Sequence, residues 1–138
     1  KTRLKIEYDA RKQVGMNTEK LLQPILEKVF NTKLIKTPNQ YDVFDFTTTD
    51  LKYFFEIKTT PVINSAIVGV NKCCVDNLII VFFCSKSHLI YYIKYNKTIF
   101  DTFQIIDIIL PSKIYPTPTY IILKQHLTQI NVDDNIIL

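Results

Sequence analysis

The sequence predicts an α/β domain with a mixed central sheet flanked by helices, in the order α-β-β-β-α-β-β and then a less regular tail. Three observations predict it. Leu22, Ile25, Leu26, Val29 and Phe30 recur at the spacing of an amphipathic helix. Tyr41 to Phe46 and Leu51 to Lys58 read as strands, joined through Thr47-Thr48-Thr49-Asp50 as a hairpin. The uninterrupted apolar run Leu78 to Cys84 has the length and composition of a strand buried on both faces. At 138 residues the chain is sized for one domain, 1–138.

The elements follow in order. The first helix starts near Asn17 or Thr18, and Pro24 inside it removes one backbone hydrogen bond unless it lies in the first turn. Lys33 to Lys36 is a first short strand, and the hairpin comes next. From Asn64 to Val75 no strand alternation is evident, and a helix would place Ala66, Val70, Cys73 and Cys74 on one face. That second helix would feed the strand Leu78 to Cys84. Leu89 to Tyr95, rich in aromatic and β-branched residues, is the next strand. Thr98 to Leu110 is ambiguous, Pro111, Pro116 and Pro118 punctuate a loop, and Tyr120 to Ile130 reads as a closing helix.

Composition narrows the function. Hydrophobic residues are 47% and charged residues 22%, too apolar a balance for a disordered chain. The longest apolar run is far shorter than the roughly 18 residues that span a bilayer, and no signal-peptide pattern opens the chain, so an intracellular place is expected, in cytoplasm, nucleus or a viral replication compartment. The chain opens on Lys1 rather than Met, as a fragment of a longer protein would. With two glycines there is no Gly-rich phosphate loop. Cys73, Cys74 and Cys84 form an odd set suited to reduced, buried thiols, and with His88 they match no paired zinc-ligand spacing. The net charge of +4 is unevenly placed: residues 1–36 carry nine Lys or Arg against four Asp or Glu, and the rest of the chain carries eight against nine. A basic first quarter suits a phosphate backbone, and equally a solvated surface.

Strand alternation brings the chemistry together. Glu56 and Lys58, two apart on one strand, point to the same face. A hairpin centred on Thr49 pairs Asp42 with Glu56, with Cβ atoms about 4.5 to 5.5 Å apart. Two carboxylates that close repel unless a cation lies between them, and Mg²⁺ prefers carboxylate oxygens and water. Lys58 then stands where it can orient or deprotonate a metal-bound water for attack on a phosphodiester. Glu19 continues the apolar stripe of the first helix and so faces inward, although the helix dipole alone would also favour an acid there. Asp45 should face away from Asp42, with the two exchanging roles if the register slips by one residue. Asp50-Leu51-Lys52 repeats the acid-x-Lys spacing, but in the turn. His88, His126 and the aromatic segment Tyr91 to Tyr95 read as packing or surface groups.

Glu19, then Tyr41-Asp42-Val43-Phe44, then Phe55-Glu56-Ile57-Lys58-Thr59-Thr60, together with the α-β-β-β-α-β order, resemble the PD-(D/E)xK nuclease superfamily, the restriction-endonuclease-like fold. The likeness covers about residues 11 to 95, with Tyr41 where a Pro is common. It implies a DNA endonuclease dependent on Mg²⁺ or Mn²⁺, with Asp42 and Glu56 binding the metal, Lys58 activating water and Glu19 assisting at the metal. The segment Arg11 to Glu19 is similar to the stretch before the first-helix acid in archaeal-type Holliday-junction resolvases. This implies a homodimer acting on branched DNA in recombination or repair, with Arg11 and Lys12 on backbone phosphates. Lys72, beside Asn71, falls where some relatives carry a polar site residue and is a further candidate for contact with DNA. A restriction or repair-type nuclease on linear DNA, a DNA-binding module that has lost cleavage, and a structural scaffold with a buried ion network are the alternatives.

Overall fold

The structure is a computed structural model and describes residues 17–38, 44–109 and 116–138. Its elements are a helix over 17–29 (α1), strands Leu34–Lys36 (β1), Phe46–Thr48 (β2), Phe54–Thr60 (β3) and Ser65–Gly69 (β4), then a 3₁₀ turn Val70–Lys72. After these come Leu78–Cys84 (β5), Ile90–Lys94 (β6), a single-turn helix Lys97–Phe100 (α2), Gln104–Ile109 (β7), Pro116–Leu123 (β8), a 3₁₀ turn Lys124–His126 and Thr128–Ile130 (β9).

The chain is an α/β protein with a mixed six-stranded sheet, ordered β1-β2-β3-β5-β6-β9, and few helices. A second sheet, β4-β8-β7, is antiparallel throughout. In the large sheet β3 and β5 run parallel, in register from Phe54 beside Leu78 to Thr60 beside Cys84, while the other pairs are antiparallel.

Alternation along β5 explains the layering. Leu78, Ile80, Phe82 and Cys84 face one way and pack with Ala66, Val68, Tyr120 and Ile122 of the second sheet and Phe100 of α2. Ile79, Val81 and Phe83 face the other way and pack with Leu22, Leu26 and Val29 of α1. The apolar run of the sequence is thus the strand between two cores, and all seven of its residues are buried. Burying one such side chain contributes about 1.5 to 3 kcal/mol. The stripe on α1 is the face laid on the sheet, and the helix continues through the exposed Pro24.

Two expected helices are strands. The helix over Asn64 to Val75 is instead β4 and a 3₁₀ turn, so the crossover between the parallel strands β3 and β5 is made by a strand of the second sheet. Its alternation was masked because Ile67, 48% exposed, is as apolar as the buried Ala66 and Val68 beside it. Gly69, a poor helix former, also suits the strand. The closing helix over Tyr120 to Ile130 is instead the end of β8, a 3₁₀ turn and β9. Tyr120 and Ile122 are buried and Leu123 is exposed, the period of two expected of aromatic and β-branched residues in a sheet. Pro116 and Pro118, expected in a loop, lie in β8 where it pairs with β7 alone, because β4 reaches only from Thr119 to Leu123. Pro111 lies outside the described residues. Cys73 is half-buried, Cys74 exposed and Cys84 buried, so the expectation of buried thiols fails at Cys74; all three are free. Among the described residues no helix is long and apolar enough to cross a membrane.

Candidate functional site

The hairpin between β2 and β3 positions the site, and it closes one step beyond the expected turn. Thr48 N–H donates to Tyr53 O at 3.1 Å and Leu51 N–H to Thr48 O at 2.9 Å. Asp50 organises the loop: its Oδ1 accepts from Thr48 Oγ1 at 2.6 Å and from Lys52 N–H at 3.0 Å. The Thr48 hydroxyl holds the Asp50 carboxyl below its usual range. Leu51 adopts φ 60°, the left-handed region that closes the turn. Residues 49–52 therefore form the loop, and the turn is centred beyond Thr49.

The pairing moves accordingly. Phe46 faces Phe55 and Thr47 faces Phe54, where the paired register ends, and the side chain of Asp45, one residue before β2, reaches Glu56. The place opposite Glu56 expected for Asp42 thus belongs to Asp45, three residues along the chain. Asp45, left outside the site by the sequence reading, is thus one of the groups acting on Glu56. Asp42 itself lies outside the described residues, as do Arg11 and Lys12. Asp45 stands where the β2–β3 ladder ends: its N–H donates to Phe55 O at 3.0 Å and its Oδ2 accepts from Ile57 N–H at 2.7 Å. The side chain occupies a backbone donor that a longer β2 would have used.

Three acids and three lysines meet here. Glu56, 3% exposed, shares the face of Phe54 toward the second sheet. Lys58 Nζ and Lys72 Nζ each lie 3.4 Å from Glu56 Oε2. Lys72 arrives from the 3₁₀ turn after β4 rather than from a helix. Glu19 comes from α1, whose start is tied to β3 by a hydrogen bond from Thr59 Oγ1 to Thr18 Oγ1 at 3.1 Å. Asp45 lies close enough to act on both Glu19 and Glu56, and Lys36 of β1 adds positive charge near Glu19.

The electrostatics are those of acids gathered in a partly dry place. Burial, and then the neighbouring Asp45, push Glu19 up to about 8. Burial and the charge of Asp45 raise Glu56 to about 7, against the pull of Lys58 and Lys72. Carboxyl groups this close resist ionising together, which favours the protonated forms of Glu19 and Glu56. Burial likewise raises the Cys73 thiol to about 12, so it is a packing group and a poor nucleophile.

Among the described residues no three His, Cys, Asp or Glu side chains are already arranged to hold a metal ion. The donor set nevertheless suits a hard divalent cation, since carboxylate oxygens are what Mg²⁺ and Mn²⁺ take and a cation would relieve the repulsion that raises Glu19 and Glu56.

The sequence matches no protein-family model, and no curated protein matches it. The geometry therefore carries the functional reading. Of the expected site residues, Glu19, Glu56, Lys58 and Lys72 come together, and Asp45 joins them. The signal that would have found Asp45 was Asp50, whose side chain favours a turn that bonds two residues onward and so lengthens the loop. His88 stacks on Phe83 and His126 packs on Phe103, as expected of packing groups. Tyr91 and Ile93 are buried in the core.

Proposed function

We propose that the chain is a metal-dependent endonuclease of the PD-(D/E)xK type with a restriction-endonuclease-like fold, hydrolysing phosphodiester bonds in DNA. One observation carries the reading: Lys58 lies beside Glu56 at the point where Asp45 and Glu19, from two other elements, reach the same carboxylate. Asp45 and Glu56 would hold the cation, Mg²⁺ or Mn²⁺, and Glu19 would assist. When bound, it neutralises the scissile phosphate and acidifies water. The chain supplies the rest. The Lys58 ammonium, half-exposed on β3, orients the attacking water and stabilises the negative charge that develops at the phosphate, the water's proton passing to solvent. Lys72 shares Glu56 with Lys58 and turns toward phosphate once the acids are occupied. Arg11 and Lys12 add backbone contacts that set the DNA in register.

Branched DNA is the proposed substrate, cleaved by a homodimer in recombination or repair, with linear DNA as the alternative. The test is Mg²⁺-dependent cleavage of a synthetic four-way junction, beside linear duplex and single strand, with Lys58→Ala as control. Paired nicks near the branch, absent in the variant, support a junction resolvase. Cleavage of linear duplex instead moves the protein to the restriction or repair nucleases.

A second reading has its own support. The acids are paired with lysines and with one another, as in a buried ion network, which favours a DNA-binding module that does not cleave. Tight DNA binding without cleavage of any substrate in Mg²⁺ or Mn²⁺ decides for it.

A further inference from the structure

Lys58 and Lys72 have a second neighbourhood. Both line a cleft of about 370 Å³ between the end of β3 and the second sheet. Its floor is apolar, formed by the buried Ala66 and Val68 of β4 and Phe82 of β5, and its apolar wall is the half-buried Ile108 of β7, while Asn71 and the threonines of β3 and β8 supply hydrogen-bonding groups. The Asn71 side chain folds back over Gly69, so close that a Cβ at Gly69 would stand 2.7 Å from Asn71 Oδ1. A β-carbon there would displace Asn71. The cleft therefore has two ammonium groups on the side of the acid cluster, an amide against a glycine, and an apolar wall. Its volume is at the small end of the roughly 300 to 1,000 Å³ of small-molecule sites.

Few ligands suit that distribution. The two lysines ask for an anion, the apolar wall for a flat hydrophobic body, and the amide and hydroxyls for polar edges. A nucleotide carries all three in that order. We propose that this cleft binds one unstacked nucleotide, its phosphate at Lys58 and Lys72 and its base against Ile108, above the floor formed by Val68 and Phe82. The inference rests on the nuclease reading for the source of the nucleotide, a nucleic acid whose scissile phosphate lies at Glu56. It deepens that reading by naming the substrate class: DNA unpaired at the cleavage point, such as a branch, a frayed end or a single strand, since a base within a duplex must first leave the stack to enter.

The test is binding without chemistry. Full-length protein in EDTA is titrated with thymidine 5′-monophosphate, inorganic phosphate and a short single-stranded oligonucleotide, followed by amide chemical shifts. The expected result is a mononucleotide bound at least tenfold more tightly than phosphate, displaced by the oligonucleotide, with shifts at Val68 and Phe82. Ile108 lines the same cleft and is half-buried on β7, so Ile108→Trp fills the space from its rim. It should weaken mononucleotide binding at least tenfold and leave phosphate binding unchanged, with Thr117→Trp as a second filling variant and thermal melting to establish folding. Equal affinity for phosphate and mononucleotide, or folded Trp variants that bind the nucleotide as before, would overturn the proposal. So would a mononucleotide that the oligonucleotide does not displace, because the ligand would then be a free nucleotide. The two readings fail separately. Nucleotide binding in a protein that cleaves nothing leaves the cleft assignment standing, and equal cleavage of single-stranded and branched DNA by folded wild type and Ile108→Trp removes the cleft assignment alone.

Discussion

The Asp45 carboxylate accepts the Ile57 N–H at 2.7 Å, so a side chain just before β2 satisfies a backbone donor of β3. This bond holds Asp45 between Glu19 and Glu56 and joins the end of the β2–β3 hairpin to the candidate site. Because Asp45 serves both the sheet and the site, substitutions there must be read against stability as well as activity.

Asp45→Asn keeps an oxygen acceptor for Ile57 N–H and removes a charge. On the nuclease reading it should lower Mg²⁺-dependent cleavage at least 100-fold with little change in urea midpoint. Asp50→Asn, whose side chain lies in the turn, should leave cleavage within about threefold. Assays of the two purified variants side by side check the assignment, and wild-type rates in Asp45→Asn would sink it.

Lys58→Ala separates chemistry from scaffolding. A water-activating Lys58 predicts lost cleavage, retained metal affinity and a stability change within about 1 kcal/mol, because Lys72 still pairs with Glu56. A scaffold predicts destabilisation by about 3 kcal/mol or more, the cost of breaking a buried pair. Urea denaturation beside metal titration tells them apart.

Stability should fall with rising pH in metal-free protein. Burial and the neighbouring Asp45 push Glu19 up to about 8 and Glu56 to about 7 from an ordinary value of 4.5, so between these limits the folded state binds more protons than the unfolded state. Their stabilising contribution is complete below about pH 4.5 and is lost as pH rises through 7 to 8. A divalent cation held by the same oxygens reverses the trend by favouring the ionised acids. Melting temperatures from pH 5 to 9, with EDTA and with Mn²⁺, check both signs; a cation that raises the melting temperature equally at pH 5 and pH 9 would contradict the shared site.

Asp50→Ala removes the acceptor for Thr48 Oγ1 and Lys52 N–H. It should lower stability only slightly, since the bond to Lys52 is exposed to water and that to Thr48 is part-buried. Phe55→Ala, at a fully buried ring packed edge-on to Phe30, should cost about 3 to 5 kcal/mol. A chemical-denaturation series on both variants gives the ratio, and equal losses would show that the core beneath α1 collapses to fill the cavity.

Local chemistry made part of this molecule readable from residues alone. The stripe on α1, the run Leu78 to Cys84 and the strand Ile90–Lys94 each have a period or composition that one backbone conformation satisfies. Glu56 and Lys58 share a face because a strand repeats every two residues, whatever surrounds it. Glu19 was legible as an inward acid from its place in the stripe. Three features depended on contacts distant in sequence. β4 and β8 are strands because each covers one face of the large sheet, and their exposed apolar residues hid the alternation. Asp45 came beside Glu56 because four loop residues, held by Asp50, carry the hairpin past the expected turn, and hydrophobic pattern could not choose between Phe44 and Phe46, both buried. Lys72 reached Glu56 because the crossover from β3 to β5 runs through the second sheet, and pairing of β4 with β8 decides where that crossover ends. A periodicity assigns a residue to a face; only the closed sheet, in which each backbone donor must find an acceptor, assigns it a neighbour.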